Sequence, residues 1–210
     1  MALRFVAPRE HSDTARRYYE PHIAQTGEVK TRAQNWHDLF NALAWITFPL
    51  AKAAINAQHV AILQERGDAE AKRRGPERDA LTLFDESGVI VATDDASLTQ
   101  LIADFEWKEL FWRRRAELAQ RMRFFVFGHA LYEKALEPYI GMVAKTVFVP
   151  FAADPAQADA LLAAHFSDRS RFPRPKSMAP MPVLGVPGWD PRNADEAFYD
   201  DGSHFRGKRA

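Results

Sequence analysis

The chain has no cysteine among its 210 residues, which removes thiol nucleophiles, cysteine-ligated zinc and disulfides from consideration together. It has no excess of either charge. Lys+Arg and Asp+Glu stand at 28 each, so no global basic field draws it to nucleic acid or to an anionic membrane, and any nucleic-acid contact would have to be local. There is no run of about 18 apolar residues, and the opening MALRFVAPREHSD has no apolar h-region. Neither membrane spanning nor export is indicated, and a soluble, cytoplasmic protein is the expectation. Glycine-rich phosphate loops, a serine nucleophile elbow and the helical zinc spacing HExxH are all missing, as are internal repeats and low-complexity tracts. What remains for chemistry is histidine, carboxylate and amide.

These groups concentrate in one stretch, NWHDLFNALAWITFPLAKAAINAQH, from Asn35 to His59. Asn35 stands where an N-cap belongs and Asp38 follows three positions later, so a helix is predicted to begin at Trp36. Winding at about 100° per residue puts Trp36, Leu39, Phe40, Leu43 and Ile46 on one arc and His37, Asn41, Trp45 and Phe48 on a second. Only a thin side around Asp38 and Ala42 is left for water, which predicts a helix running through the core. Pro49 suits the first turn of a second helix, where Lys52, Asn56, His59 and Leu63 share one side. If the polar stripes face each other across this corner, His37, Asn41, Lys52, Asn56 and His59 form one constellation. It would serve either as a ligand or metal pocket, with His37 and His59 as candidate ligands of a divalent metal, or as a buried hydrogen-bond network.

The remaining patterns supply the frame. Ala15 to Ala24 suggests a short helix carrying Tyr18, Tyr19 and Ile23, and the charged stretch Gln64 to Arg78 suggests a solvated loop. ALTLFDESGVIVAT alternates around a DESG turn and predicts a β-hairpin with Asp85 and Glu86 at its tip. Leu98, Leu101, Ile102 and Phe105 predict a helix that continues, or restarts, with Trp107, Leu110, Phe111 and Leu118 on one side. Arg114 lies on the same side, aimed at a carboxylate or anionic ligand or else reaching out to water. Phe124 to Phe127 and Val143 to Val149 read as strands. Between them His129 would open a helix after Gly128, with Glu133 one turn on, so that the two could share a metal or a proton or simply bond each other. Asp154 and Pro155 start a helix ending near Phe166, where His165 would place a favourable charge at the C-terminus. Prolines recur from Arg171, but Met181, Val183, Leu184, Trp189, Phe198, Tyr199 and Phe205 are anchors that predict docking, with only the final GKRA free.

The fold expected is α+β. Residues 1–170 would form a single domain with a central helical hairpin at 35–66 and a small, mostly antiparallel sheet containing a β-hairpin, covered by helices. An extended proline-rich tail, 171–210, would dock on it. Four stretches, NWHDLFNALAWITFPLAKAAINAQH, RDALTLFDESGVIVA, FGHALYEKALEPYIGMVAKT and PVLGVPGWDPRNADEAFYDDGSHFR, resemble a bacterial family, domain of unknown function 3025. The resemblance runs from about Thr31 almost to the C-terminus and carries no activity, cofactor or catalytic residue with it.

Two functions therefore compete. In the first, a binding or hydrolytic pocket is lined by His37, Asn41, Asn56, His59, His129 and Glu133. A neutral histidine acts as general base or metal ligand, Asp38 orients it, and asparagines hold a carbonyl or phosphate oxygen of a small molecule. In the second, a non-catalytic accessory protein engages a macromolecular partner, protein more readily than nucleic acid, through the Arg113 to Arg123 patch or the aromatic tail.

Overall fold

The computed structural model describes residues 3–8, 19–67, 70 and 73–208. The expected helix residues Ala15 to Tyr18, parts of the expected loop 64–78 and the last two residues lie outside these. In chain order the first elements are β1 (Arg4–Val6), α1 (Tyr19–Thr26), β2 (Glu28–Lys30), α2 (Trp36–Thr47), α3 (Pro49–Arg66), α4 (Pro76–Ser87) and β3 (Gly88–Ala92). There follow α5 (Ala96–Asp104), a π-helical turn (Glu109–Arg113), α6 (Arg115–Arg121), β4 (Arg123–Val126), α7 (His129–Lys134), β5 (Val143–Val149), α8 (Pro155–Ser167) and β6 (Pro180–Pro182). No helix among the described residues is long and apolar enough to cross a membrane.

GVIVA is the centre of the larger sheet. A continuous apolar run suits a strand covered on both faces, and all five residues of β3 are buried. The strand order is β4-β3-β5-β6: β3 lies antiparallel to β4, parallel to β5, and β5 is antiparallel to β6, so the sheet is mixed. A separate parallel pair joins β1 and β2. One face carries α3, α4 and α8 over Phe84, Phe127 and Phe166, with Phe84 5.2 Å from Phe127 and 5.1 Å from Phe166 between ring centroids. The other carries α5, the π turn and α6 over Leu110 and Phe111. The stretch after Arg171 is more regular than its prolines suggest, forming β6 and several 3-10 turns. It feeds both cores, with Phe172 and Met178 on the first and Met181, Leu184, Tyr199 and Phe205 on the second. Trp189, expected as an anchor, stays more than a third exposed.

Three expectations are corrected. The β-hairpin is not formed: its first arm is the end of α4. Pro76 opens that helix after Gly75, and Ala80, Leu81, Phe84 and Ser87 are buried at helical spacing, a pattern that outweighs the short alternation of Leu81 and Leu83. Part of the expected charged loop is thus helix. DESG is a helix-to-strand junction, and Gly88 is required there because a Cβ would stand 2.4 Å from the Phe84 carbonyl oxygen.

Secondly, α2 does not run through the core. It buries Asn41, Ala42, Ala44 and Trp45 and leaves Trp36, Leu39, Leu43 and Ile46 42–64% exposed, because the aromatic and amide arc packs on α1 and α3. Thirdly, His165 carries no charge to the end of α8. It packs edge-on to Phe166, its Nδ1 is buried without a partner among the described residues, and burial followed by nearby Arg171 pushes its pKa down to about 4.

Candidate functional site

The corner between α2 and α3 is built as its caps dictate. Asn35 accepts the Asp38 amide at 2.9 Å, and Pro49 restarts the chain after a one-residue break at Phe48. His37 is thereby held in the first turn of α2, facing α7. Gly128, just before α7, admits the α4–β3 junction so closely that a Cβ there would lie 2.4 Å from the Gly88 nitrogen and 2.6 Å from the Glu86 carbonyl oxygen. This approach delivers His129 to the end of α4.

The four ring nitrogens of His37 and His129 then form a chain. His129 Nδ1 donates to the Asp85 carbonyl oxygen at 2.7 Å, one of the last carbonyls of α4, which lacks a donor within its own helix. His37 Nδ1 donates to Glu133 Oε2 at 2.9 Å. The two Nε2 atoms face each other at 3.0 Å, with the rings edge-on and their centroids 4.4 Å apart. A carbonyl and a carboxylate can only accept, so both Nδ1 atoms carry protons and both Nε2 lone pairs converge. The contact is a hydrogen bond only when one proton sits between them, or a cation in its place. His129 is the ring that stays neutral: burial, offset only in part by Asp85, pushes its pKa down to about 4.

Beneath the pair lies a buried polar network. Lys52, 3% exposed, donates to Asp85 Oδ1 at 2.6 Å and to Asn41 Oδ1 at 2.8 Å, with its ammonium 5.3 Å from the Trp45 ring centroid. Asn41 Nδ2 donates in turn to the Tyr19 hydroxyl at 3.0 Å. Burial raises the Tyr19 phenol, so it stays protonated. Burial alone would also raise the Asp85 carboxyl, but the Lys52 ammonium and the His129 ring outweigh it and hold the pKa below the usual carboxylate range.

His59 stands on the far wall. Its Nδ1 accepts from Arg78 Nε at 3.1 Å, and Arg78 reaches Glu20 Oε1 at 3.3 Å. An arginine cannot give up its proton, so His59 must carry its own on Nε2. Burial pushes the His59 pKa down to about 4, leaving a neutral hydrogen-bond donor.

Of these groups, Tyr19, Glu20, His37, Asn41, Trp45, Lys52, His59, Asp85 and His129 line a pocket of about 340 Å³, reached also by Asn56, Arg32 and Asp38. The structure thus brings His37, Asn41, Lys52, Asn56, His59 and His129 to one cavity, with Glu133 behind His37. The roles differ from those expected of them. Asp38 does not orient a histidine: its two oxygens are held by the Arg32 amide, Nε and Nη2 at 2.7–2.9 Å, and Glu133 does the orienting instead. His129 and Glu133, one turn apart on α7, do not bond each other but hold His37 between them. Asn41 and Lys52 already have polar partners within the protein. Asn56 lines the pocket and makes no side-chain hydrogen bond among the described residues.

Metal ligation by His59 would require a bare Nε2 and would set an Nδ1 proton against Arg78. Among the described residues no group of three histidine or carboxylate side chains is arranged to hold a metal. Arg114 lies outside the pocket, paired with Glu117 at 2.6 and 2.7 Å and with Ser97 Oγ at 3.0 Å, because the π turn rotates it toward the start of α5.

Sequence reasoning missed the roles of Tyr19, Glu20, Arg78 and above all Asp85. The helical spacing from Ala80 to Ser87 was the signal that places Asp85 in a last turn and not at a hairpin tip.

No curated protein and no solved structure matches the chain. Residues 3–209 match the family model described as Protein of unknown function (DUF3025). The match spans nearly the whole chain, and the protein belongs to the DUF3025 family.

Proposed function

We propose that the chain binds a small polar molecule in the histidine pocket and moves a proton on it at the His37–His129 pair, with hydrolysis as the reaction class that suits the groups present. The observation that carries this reading is the 3.0 Å contact between two Nε2 atoms whose Nδ1 protons are both fixed. Separating the rings exposes one Nε2 lone pair as a general base, which can take a proton from water or a substrate hydroxyl. The shared proton stays on His37, whose imidazolium Glu133 stabilises from the outer side of the ring as an orienting carboxylate does, and the lone pair exposed is that of His129 Nε2. The His59 Nε2 proton and the Asn56 amide provide donors for a carbonyl or phosphate oxygen. Lys52 stays committed to Asp85.

The test is turnover of a panel of aryl esters and aryl phosphates by the wild type and by His37→Gln and Glu133→Gln. The side chains of His37 and Glu133 are 38% and 45% exposed, so both variants should keep nearly wild-type melting temperatures. Turnover should fall by about 10²-fold or more in His37→Gln, and less in Glu133→Gln. No turnover across the panel by the wild type, or equal turnover by all three proteins, would sink the reading.

The same contact favours a second reading, a divalent metal between the rings. Two metal–nitrogen bonds of about 2.1 Å at a right angle span about 3.0 Å, and metal-bound imidazoles donate their other N–H to a carboxylate or carbonyl as His37 and His129 do. With two protein ligands, such an ion would keep positions open for water and substrate.

A further inference from the structure

Along β6, the edge strand of the larger sheet, lies a groove of about 610 Å³ that shares no lining residue with the histidine pocket. Its apolar floor includes Phe105, Trp107, Met178 and Met181, its rim carries Lys145, Lys176 and Arg206, and among the described residues no carboxylate lines it. Lys208 also lines it, but is paired with Asp104 at 3.0 Å.

The floor is held in place at some cost. Phe105 closes α5 at φ 64°, a left-handed conformation that is unfavourable for a bulky residue. Trp107 donates its indole N–H to the Arg206 carbonyl oxygen at 2.9 Å and so fixes the C-terminal wall.

Lys145 is the informative residue. It is half-buried on β5 opposite Pro180, and among the described residues no carboxylate comes within ion-pair distance of it or of Lys176. Burial lowers the Lys145 pKa, as expected of a partly desolvated cation with no counter-ion. A charge left this way is unfavourable until an anion meets it.

We propose that this groove binds a small amphipathic anion: an apolar chain or ring that lies on the Phe105, Trp107, Met178 and Met181 floor, with one carboxylate or phosphate held by Lys145, Lys176 and Arg206. The volume is that of a small-molecule site. A neutral or cationic molecule of the same shape would leave the three rim cations uncompensated.

The test is calorimetric titration of the full chain with decanoate, decyl phosphate and decanol, repeated on Lys145→Gln and Lys176→Gln after checking that their melting temperatures match the wild type. At least one anion should bind tenfold or more tighter than decanol, and the tighter of the two identifies the head group. Lys145→Gln should weaken that anion about tenfold and leave decanol unchanged. No binding of either anion at millimolar concentration would overturn the proposal. So would equal affinity for decanol, or anion binding indifferent to both substitutions.

Discussion

Replacing Asp85 by alanine should cost about 3–5 kcal/mol of folding stability, measured by urea denaturation at neutral pH. Lys52 is 3% exposed, and among the described residues its ammonium has only Asp85 Oδ1 and Asn41 Oδ1 as hydrogen-bond acceptors. Without Asp85 the charge stays buried with one neutral partner, and the loss reflects that stranded cation more than the worth of the pair. Exchanging both partners for apolar residues, Lys52→Met with Asp85→Leu, should recover most of the loss. A cost below about 1 kcal/mol for Asp85→Ala would show that Lys52 finds water or another partner, and the buried network would lose its place in the account. His129 should remain positioned in the alanine variant, since it bonds the Asp85 backbone and not the carboxylate.

Acid should unfold the protein well above the pH at which its carboxylates protonate. His59, His129 and His165 all have folded-state pKa values pushed down to about 4, in each case with burial as the largest cause, against an ordinary value of 6.5. Between these values the unfolded chain takes up protons that the folded chain excludes, so stability is complete above about pH 6.5 and is lost as pH falls toward 4. At 1.36 kcal/mol per pKa unit, each histidine accounts for at most about 3 kcal/mol by pH 4, and the half-buried His165 for less. The melting temperature should therefore drop steeply from pH 6.5 to 4.5. His165→Leu, which removes a buried nitrogen that has no partner, should flatten that slope. A melting temperature level across this window would contradict the burial assigned to these rings.

Local signals in the chain carried the site further than they carried the frame. Asn35 and Pro49 mark the ends of α2 and α3, and helical spacing then places His37, Asn41, Lys52, Asn56 and His59 along the inside of one corner, where the structure has them. Gly128 before His129 marks a strand-to-helix junction in the same way. Pairing between distant elements was not legible. Asp38 is one residue from His37 and was the natural candidate to orient it, but Arg32 captures it, and the acceptor for His37 comes from a helix 96 positions later.

The face of α2 was misjudged for a related reason. Hydrophobicity favours burying Trp36, Leu39, Leu43 and Ile46, but the partners on offer were the hydroxyl of Tyr19 and the ammonium of Lys52, and these selected the arc with Asn41 and Trp45. In DESG, turn chemistry and a helix end look alike over four residues, and only the longer register from Pro76 separates them.

In the proposed pair, His37 and His129 are locked ring to ring with a single proton between their Nε2 atoms. Nitrogen-15 NMR of the histidine rings tests it most directly. The account predicts His129 as the neutral Nδ1–H form, His59 as the neutral Nε2–H form, and one slowly exchanging proton coupled to the Nε2 atoms of both His37 and His129. Loss of that proton in a sample with stoichiometric bound metal would keep the locked pair and replace the proton by the ion. A His129 ring protonated on Nε2, or two rings exchanging tautomers independently, would contradict the account.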